Sequence, residues 1–273
     1  MGKNQLNTHV LARTGIAVTP VHKAIRRPRN IAIGFFDGVH SGHQKVIAGC
    51  DTILTFDPHP LQILGPHLAP RLLTDFAHRV RKLAALPIQE IVVVPFNTTL
   101  ANQPASRFTD DVLVDLLDAQ LISVGNNFRF GAGGHGNGAM LQSDSRFSTR
   151  VNTLVASGPD VVSSTHVRML VIAGNVEKAA ELLGSPLTHS AYLARDHTLT
   201  FDSTLLVPPH GTFTCTINGQ QSCLRMNGSQ AEVIGPPSPQ RTGVVEISFH
   251  QGHDYSGARR NHHTDRVLVA AGR

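Results

Sequence analysis

The stretch Gly34-Phe35-Phe36-Asp37-Gly38-Val39-His40-Ser41-Gly42-His43 decides which fold this chain is expected to have. An apolar run, Ile31-Ala32-Ile33, precedes it and is typical of a buried strand, and the pattern through Lys45, Val46 and Ile47 indicates a helix after it. A strand that turns into a helix is the repeating unit of a parallel α/β sheet. Ligands of such sheets bind at the carboxyl ends of the strands, where this turn lies.

Two histidines and two glycines give the turn its chemical character. His40 and His43 are three residues apart, so on a helical turn their imidazoles face the same side. Gly38 and Gly42 keep side chains out of the space above the turn, which lets a ligand approach the backbone. The helix start adds free N–H groups and the positive end of a dipole, and these suit a polyphosphate. Many nucleotidyltransferases hold the triphosphate of ATP with this order of strand, tight turn, HxGH and helix, which aims donors at the charge developed during transfer.

A zinc site is the main alternative for the histidine pair. Tetrahedral zinc needs further ligands, and Cys50, Cys215 and Cys223 show no CxxC pairing. Their irregular spacing does not indicate a disulfide framework either. We therefore assign no metal ligand from the sequence.

The composition is that of a globular protein. The chain has 273 residues, 41% of them hydrophobic and 16% charged, which is enough for the cores of two domains. The net charge of +5 suits anionic substrates, but the densest basic run, residues 24–29, has no aromatic interleaving, so no nucleic-acid partner is expected. No apolar stretch is long enough to span a membrane, and residues 1–6 lack the apolar core of a signal peptide. The expected location is cytoplasmic, and the sequence does not indicate an oligomeric state.

Short apolar runs alternate with helical patterns in the first part of the chain. The runs that are typical of buried parallel strands are Ile31–Ile33, Ile53–Phe56, Ile91–Val94 and Leu121–Val124. Helices are predicted after Thr74-Asp75, around Phe108–Leu117, and in a last pair over Ser163–Ala173 and Val176–Leu183. This alternation predicts an α/β fold with a doubly wound parallel sheet. Because the HxGH turn lies at the carboxyl end of a strand, we interpret this part as a nucleotidyltransferase domain of the HxGH type.

The pattern changes after Gly184-Ser185-Pro186. Alternating β-type runs follow, such as Thr212–Ile217 and Val244–Phe249, and Asn218-Gly219 after the first of them is a strong hairpin signal. This part is expected to be a small antiparallel β-barrel. We therefore assign residues 1–187 to the nucleotidyltransferase domain and residues 188–273 to the barrel domain.

Three further segments join the HxGH turn. In chain order they are Thr55-Phe56-Asp57-Pro58-His59-Pro60, Gly125-Asn126-Asn127-Phe128-Arg129-Phe130-Gly131 and Ser163-Ser164-Thr165-His166-Val167-Arg168. Together the four motifs closely resemble the bacterial riboflavin kinase/FAD synthetase family, specifically its N-terminal FMN adenylyltransferase module, over about residues 30–187. The resemblance implies that ATP and FMN are the substrates, that Mg²⁺ takes part, and that AMP passes from ATP to FMN to give FAD and pyrophosphate.

The resemblance also implies roles for individual residues. The catalytic residues would be His40, His43 and Arg168. The residues that bind ATP and its phosphates would be Gly34, Phe35, Asp37, Gly42, Ser163, Ser164 and Thr165. The flavin–nucleotide cleft would be lined by Pro58, His59 and Asn127. Independently of the family, hydroxyls at a helix N-terminus with an arginine one turn further on make an anion site, although Ser-Ser-Thr alone is typical of an ordinary N-cap.

The glycine-rich stretch at residues 131–138 resembles a phosphate loop. It does not open a helix in a βαβ unit, so a mobile loop is expected there. Only twelve residues separate His43 from Thr55, fewer than the family usually shows, so the helix after the HxGH turn is expected to be truncated or replaced.

The second half departs further from the family. The riboflavin kinase barrel of the family begins with a Gly-Phe-Pro-Thr-Ala-Asn motif, and residues 194–201 have nothing like it. Glu246 matches the position of the family's catalytic glutamate, but without a metal–nucleotide site it has no γ-phosphoryl group to act on. The barrel is therefore expected to be degenerate. Three alternatives to an FAD synthetase stay open: a bifunctional enzyme with an atypical kinase site, nucleotidyl transfer to another acceptor, and a non-catalytic flavin-binding or nucleotide-binding paralogue.

Overall fold

The computed structural model describes residues 15–153, 155–157, 160–235 and 242–253. Over these residues the chain forms a parallel sheet with flanking helices, followed by a closed barrel. The helices within these ranges are too short or too polar to cross a membrane. Residues 1–14, where no signal peptide is predicted, lie outside the described residues, as do residues 236–241 and 254–273 of the predicted barrel domain.

Six parallel strands form the sheet, in the order β1-β4-β3-β2-β5-β8. They are β1 (Ala17–Pro20), β2 (Arg29–Ile33), β3 (Thr52–Asp57), β4 (Glu90–Pro95), β5 (Ala119–Gly125) and β8 (Ser148–Asn152). The predicted α/β fold class is confirmed, and the four predicted strands are the central ones. The edge strands β1 and β8 were missed because they are partly exposed and have no continuous apolar run.

Helices connect the strands on both faces of the sheet. They are α1 (Ser41–Ile47), α2 (Pro60–Leu64), α3 (Phe76–Ala84), α4 (Thr98–Ala101), α5 (Ala105–Arg107), α6 (Gly138–Gln142), α7 (Ser164–Ile172) and α8 (Val176–Leu183). Helix α1 is truncated to seven residues, in line with the short interval after His43. The predicted helix around residues 108–117 is π-helical over Phe108–Leu116 and continues from α5.

The core of the sheet domain has two layers because successive strand residues point to opposite faces. Ile31 and Ile33 pack with Leu113 in one cluster, whereas Ala32 packs with Val80 in the other. All five side chains are buried almost completely. The continuous apolar runs therefore mark strands that are covered on both sides.

The glycine-rich stretch at residues 131–138 was predicted to be a loop, and the structure places more regular elements there than the sequence indicated. Strand β6 (Arg129–Phe130) pairs with β7 (Gly136–Asn137) across it. Asn137 then accepts a hydrogen bond from the Met140 N–H and caps α6, which starts at Gly138. A second hairpin, β9 (Val155–Ser157) with β10 (Asp160–Val162), leads into α7.

The second half is a closed antiparallel barrel in the order β11-β12-β15-β14-β13-β16. Its strands are β11 (Leu187–Leu193), β12 (Thr198–Phe201), β13 (Gly211–Ile217), β14 (Gln220–Asn227), β15 (Gln230–Val233) and β16 (Gly243–His253). Strand β16 closes it by pairing with both β11 and β13. Asn218 and Gly219 have positive φ angles of 49° and 83° in the hairpin that they were predicted to form. The predicted barrel is confirmed.

A third apolar cluster joins helices α7 and α8 of the sheet domain to the barrel. Val167 of α7 and Leu183 of α8 belong to the same buried cluster as Phe213 and Phe249 of the barrel. The backbone of Leu72, just before α3, also pairs with the barrel-side segment at Thr204 and Leu206, at N–O distances of 2.8 Å. Helix α3 is therefore held directly beside the barrel.

Candidate active site

A cavity of about 840 Å³ opens at the carboxyl ends of β2, β3 and β5. Its size lies towards the upper end of the roughly 300–1,000 Å³ of small-molecule pockets, which leaves room for a ligand of nucleotide size. The predicted site residues that line it are Gly34, Phe35, Asp37, His43, His59, Asn127, Ser164, Thr165 and Arg168. His40, Gly42, Pro58 and Ser163 are not part of this lining. The four sequence motifs therefore meet at one place, although not every predicted residue reaches the cavity.

The two histidines of the HxGH motif take different positions. His40 is the N-cap of α1, and its Nδ1 accepts a hydrogen bond of 3.3 Å from the His43 N–H. The two rings stack with centroids 3.7 Å apart, and the ring of His43 is the one that lines the cavity. Gly42 permits this stack, because a Cβ there would lie 3.1 Å from the His40 ring and 3.2 Å from the Val162 carbonyl oxygen.

Both imidazoles are neutral at neutral pH. Burial lowers the pKa of His40 to about 4, although the charge of Asp37 acts in the opposite direction. Burial, followed by the proximity of His40, holds the pKa of His43 well below its usual value. The buried Nδ1 of His43 has no hydrogen-bond partner among the described residues. A neutral imidazole carries a proton on one ring nitrogen, and with the proton on Nε2 the His43 ring can donate a hydrogen bond to a ligand oxygen.

Asp37 joins three segments of the site. Its carboxylate accepts hydrogen bonds from the N–H groups of Leu73 and Thr74, at 2.9–3.1 Å, and from the Thr74 hydroxyl at 3.1 Å. Arg168 of α7 donates to the same carboxylate at 2.7 Å and to the Arg71 carbonyl at 2.9 Å. The side chains of Arg168 and Asp37 are only 15% and 3% exposed. Asp37 therefore fixes the position of the arginine predicted to act on phosphates.

The start of α7 combines a cap with a polar cavity wall. The Ser163 hydroxyl accepts a hydrogen bond from the His166 N–H, which is the ordinary N-cap role. The Ser164 hydroxyl donates to the Asp37 carbonyl at 3.0 Å and lies 3.3 Å from His40 Nε2. Of the three hydroxyl residues, Ser164 and Thr165 line the cavity. They are the two that can face a ligand.

Aromatic side chains form another part of the cavity wall. The Phe35 and His59 rings meet edge to face at 4.4 Å, and His59 also caps α2 by accepting from the Leu61 N–H. Burial lowers the pKa of His59 to about 4, so this ring is neutral too. Phe128 and Phe130 stack at 5.5 Å, belong to the core and still line the cavity. This wall suits a flat aromatic ligand.

Arg79 and Lys82 were missed by the sequence analysis. The Arg79 guanidinium lies 3.8 Å from the centroid of the Phe35 ring and donates to the Phe56 carbonyl at 2.9 Å, and burial lowers its pKa to about 10. Lys82 donates to the Gly38 carbonyl at 3.4 Å, and burial lowers its pKa to about 8. The sequence did contain a signal for Arg79. It lies three residues after Phe76, so it is a charged residue on the apolar face predicted for α3.

The site suits a magnesium ion that is carried by its substrate. No group of three or more histidine, cysteine, aspartate or glutamate side chains in the described part of the chain could hold a metal ion. The Asp37 carboxylate is already engaged by protein donors. Asn127 and Thr165 nevertheless bring oxygen atoms to the cavity. Bound Mg²⁺ typically keeps several waters and is coordinated by substrate phosphates and one or two protein ligands. Asn127 and Thr165 fit this type of coordination.

A known protein family matches most of the sheet domain. The family model described as FAD synthetase matches residues 22–166. The chain is 31% identical over 186 residues to the bifunctional riboflavin kinase/FMN adenylyltransferase of Escherichia coli (strain K12), which covers 62% of this chain and 59% of that protein. It is 28% identical to the protein of the same name from Bacillus subtilis (strain 168), over 75% of this chain and 74% of that protein.

The similarity covers part of the relatives' length and extends to the fold of one solved structure. The chain spans 58% and 59% of the length of the first curated relatives that it matches, from Buchnera aphidicola and Escherichia coli. A solved structure described as a macrolide-efflux protein from Streptococcus pneumoniae superposes with a TM-score of 0.74, over 87% of this chain and all of that chain, at 19% identity. At this identity the likeness shows the fold alone.

Proposed function

Because the chain belongs to the FAD synthetase family, we propose that it transfers AMP from ATP to FMN, which gives FAD and pyrophosphate. An oxygen of the FMN phosphate forms a bond to the α-phosphorus of ATP, and the bond from this phosphorus to the bridging oxygen of the β-phosphate breaks. The observation that carries the proposal is the convergence of the HxGH turn, the Asn127 segment and the start of α7 on one cavity.

The polar side of the cavity would hold the phosphates. Arg168 brings a positive charge whose direction is fixed by Asp37, and His43 brings a neutral imidazole that can donate from Nε2. Thr165 adds a hydroxyl at the N-terminal end of α7. These groups would stabilise the charge that develops on the α-phosphate and on the leaving pyrophosphate. Catalysis would then rest on positioning and charge stabilisation, without a covalent enzyme intermediate.

His40 would act through its neighbours. One of its ring nitrogens accepts from the His43 N–H and the other lies 3.3 Å from the Ser164 hydroxyl, so both are already used within the protein. Its stacked ring supports that of His43. We therefore assign His40 the role of positioning His43 and Ser164, and His43 the contact with the phosphates.

The aromatic side of the cavity would hold the isoalloxazine ring. Phe35 and Phe128 offer ring surfaces, and Asn127 lies next to them in the lining. Mg²⁺ bound to the ATP phosphates would reduce their negative charge, and Asn127 or Thr165 would be its protein contact. Magnesium, the oligomeric state, the cytoplasmic location and the domain boundary at residue 187 stay predictions.

A riboflavin kinase activity is the second candidate, because the barrel is closed and the named relatives are bifunctional. Two observations weigh against it. Asp196 and Asp202, the acidic residues nearest to the missing magnesium-binding motif, accept hydrogen bonds from the N–H groups of Thr198 and Thr204 in their own turns. Glu246 is engaged by His78 and Arg81 of the sheet domain. We therefore propose that riboflavin is not a substrate.

The test is direct. Purified protein is incubated with ATP, Mg²⁺ and either FMN or riboflavin, and the flavins are separated by chromatography while pyrophosphate is assayed. We expect FAD and pyrophosphate in equal amounts from FMN and no FMN from riboflavin. If ATP binds but FMN yields no FAD, the acceptor is a different molecule. If ATP and FMN bind but no nucleotidyl group is transferred, the protein is a non-catalytic paralogue, and if neither binds, adenylyl transfer is refuted.

A further inference from the structure

Helix α3 connects the barrel to the cavity. On the barrel side, its N-cap Asp75 accepts a hydrogen bond of 3.3 Å from the Ser190 N–H of β11. The next turns of the helix reach Glu246 on β16: His78 Nε2 lies 3.1 Å from the Glu246 Oε2 atom, and the Arg81 guanidinium lies 2.8 Å from the same oxygen. We call these contacts of Glu246 with His78 and Arg81 the α3 latch. His78 and Glu246 lie 168 positions apart in the sequence.

The latch is built into a supporting network. His78 Nδ1 lies 2.7 Å from the Asp75 carboxylate, and the His78 N–H donates to that carboxylate as well. Burial alone would raise the pKa of Asp75, but these contacts with His78 lower it below the usual range. The Glu246 N–H donates to the Asn218 side chain at 2.8 Å, which fixes the backbone that carries the carboxylate. Both ends of the latch are therefore held in place.

Neighbouring residues of α3 support the cavity wall. Arg79 packs against the Phe35 ring and holds the Phe56 carbonyl, and both phenylalanines line the cavity. Lys82 reaches the Gly38 carbonyl within the HxGH turn and the Ser185 hydroxyl at 2.6 Å. A rotation or shift of α3 would therefore move the aromatic wall and the turn together.

We propose that Glu246 is a positioning residue of the adenylyl-transfer site: it holds α3 through the latch, so that Arg79 keeps Phe35 in place against the bound flavin or nucleotide. The kinetic test of this role rests on the proposed function, because it requires adenylyl transfer. Measurements of ligand binding test the same role without turnover. It also gives the barrel a role in the reaction of the other domain. Glu246 would serve that reaction at a distance instead of acting as the base of a phosphoryl transfer in the barrel.

The charge of Glu246 suits this role better than that of a base. Its Oε2 atom faces two groups of α3 at once, the Arg81 guanidinium and His78. A general base needs its carboxylate directed at the substrate hydroxyl, at hydrogen-bond distance. The side chain is 42% exposed, so the latch is a partly screened contact, and its loss is expected to shift α3 without unfolding the protein.

The experiment compares Glu246→Ala with Glu232→Ala. Glu232 is the matched control because it is also a barrel-strand glutamate paired with an arginine, Arg225 at 2.8 Å, and it makes no contact with α3 in the described structure. FMN binding is followed by the quenching of flavin fluorescence, and ATP binding by calorimetry. We expect Glu246→Ala to weaken the binding of FMN or ATP by roughly 2- to 30-fold, the range that coupling through a packed network gives. Glu232→Ala should leave both unchanged.

Kinetics and a double-mutant cycle complete the test. In Glu246→Ala, KM for FMN should rise more than kcat falls, because Phe35 contacts the substrate away from the reacting phosphates. Arg81→Ala should weaken binding less than Glu246→Ala, because the contact of His78 with Glu246 remains. The double variant should bind no more weakly than Glu246→Ala, since that single change already removes both contacts of the latch. Equal effects of Glu246→Ala and Glu232→Ala, or additive effects in the double variant, would overturn the proposal.

The failure of the proposed function would look different. A wild-type protein that makes no FAD refutes adenylyl transfer to FMN, while the binding comparison still decides whether the latch shapes the cavity. Conversion of riboflavin to FMN by the wild type, abolished in Glu246→Ala, would show that Glu246 is a kinase base, and would also overturn the latch proposal.

Discussion

Replacing Arg168 with alanine should both slow the reaction and destabilise the protein. Arg168 is the cation that we propose acts on the phosphates, and it is also the charged partner of the buried Asp37 carboxylate at 2.7 Å. Losing a donor aimed at transition-state charge typically costs roughly 10²–10³ in turnover. We expect a loss of this size in FAD formation from FMN and ATP.

The expected loss of stability follows from the burial of the pair. Removing one partner of a buried ion pair costs about 3–5 kcal/mol, because the other charge is left without its partner. Asp37 keeps the donors of Leu73 and Thr74, so we expect a value at the lower end, about 3 kcal/mol. Domains of ordinary stability, about 5–15 kcal/mol, survive such a loss folded. The slower turnover can therefore be measured on folded protein.

Arg225→Ala is the control for this prediction. Arg225 also pairs with a carboxylate at 2.8 Å, but both side chains are more than half exposed, so its removal should cost at most about 1 kcal/mol and leave turnover unchanged. Urea unfolding measures the stability of both variants, and chromatography of the flavins measures their rates. A rate within threefold of the wild type in Arg168→Ala would remove this arginine from the mechanism. An unchanged free energy of unfolding would show that the buried pair contributes little.

Three further predictions test the histidines and the barrel. His43→Ala should lower turnover by roughly 10²–10³-fold, whereas alanine at the exposed His67 should not, and equal rates in the two variants would exclude His43 from phosphate contact. The free energy of unfolding should fall as the pH drops from about 6.5 towards 4, because burial lowers the pKa of His189 to about 4 and the unfolded state then binds more protons. His189 contributes at most about 3 kcal/mol to this fall. Urea unfolding at several pH values measures it, and the free energy of unfolding of His189→Phe should depend less steeply on pH than that of the wild type. The same pH dependence in both proteins would contradict the assignment. Riboflavin incubated with ATP and Mg²⁺ should yield no FMN, and steady conversion that Glu246→Gln abolishes would establish a bifunctional enzyme.

The sequence predicts those parts of the fold that repeat a pattern. The central strands carry short, nearly continuous apolar runs because both sheet faces are covered, and one such run is Ile53–Phe56, in which only Thr55 is polar. The edge strand Ala17–Pro20 is partly exposed and has no such run. Asn218-Gly219 predicts its hairpin because the turn requires positive φ at both positions, which few residue pairs adopt easily.

The candidate site could be predicted as a set of motifs but not as a set of contacts. The HxGH pattern does not distinguish the roles of its two histidines. In the structure His40 caps a helix, whereas His43 lines the cavity. Asp37 joins the site through the backbone N–H groups of Leu73 and Thr74, which carry no sequence signal. Such groups come together through tertiary packing over long separations, and a single sequence does not encode them locally.

Strand β16 has a consequence for how the protein matures during synthesis. All the strands of the sheet and all its helices, up to Leu183, are made before the first barrel strand leaves the ribosome. The carboxylate that holds α3 lies on β16, which must pair with both β11 and β13 to close the barrel. Chains generally fold from the N-terminal domain during translation. The residues that line the cavity are therefore all synthesised before β16, and the contacts of α3 with Glu246 can form only after that strand has emerged.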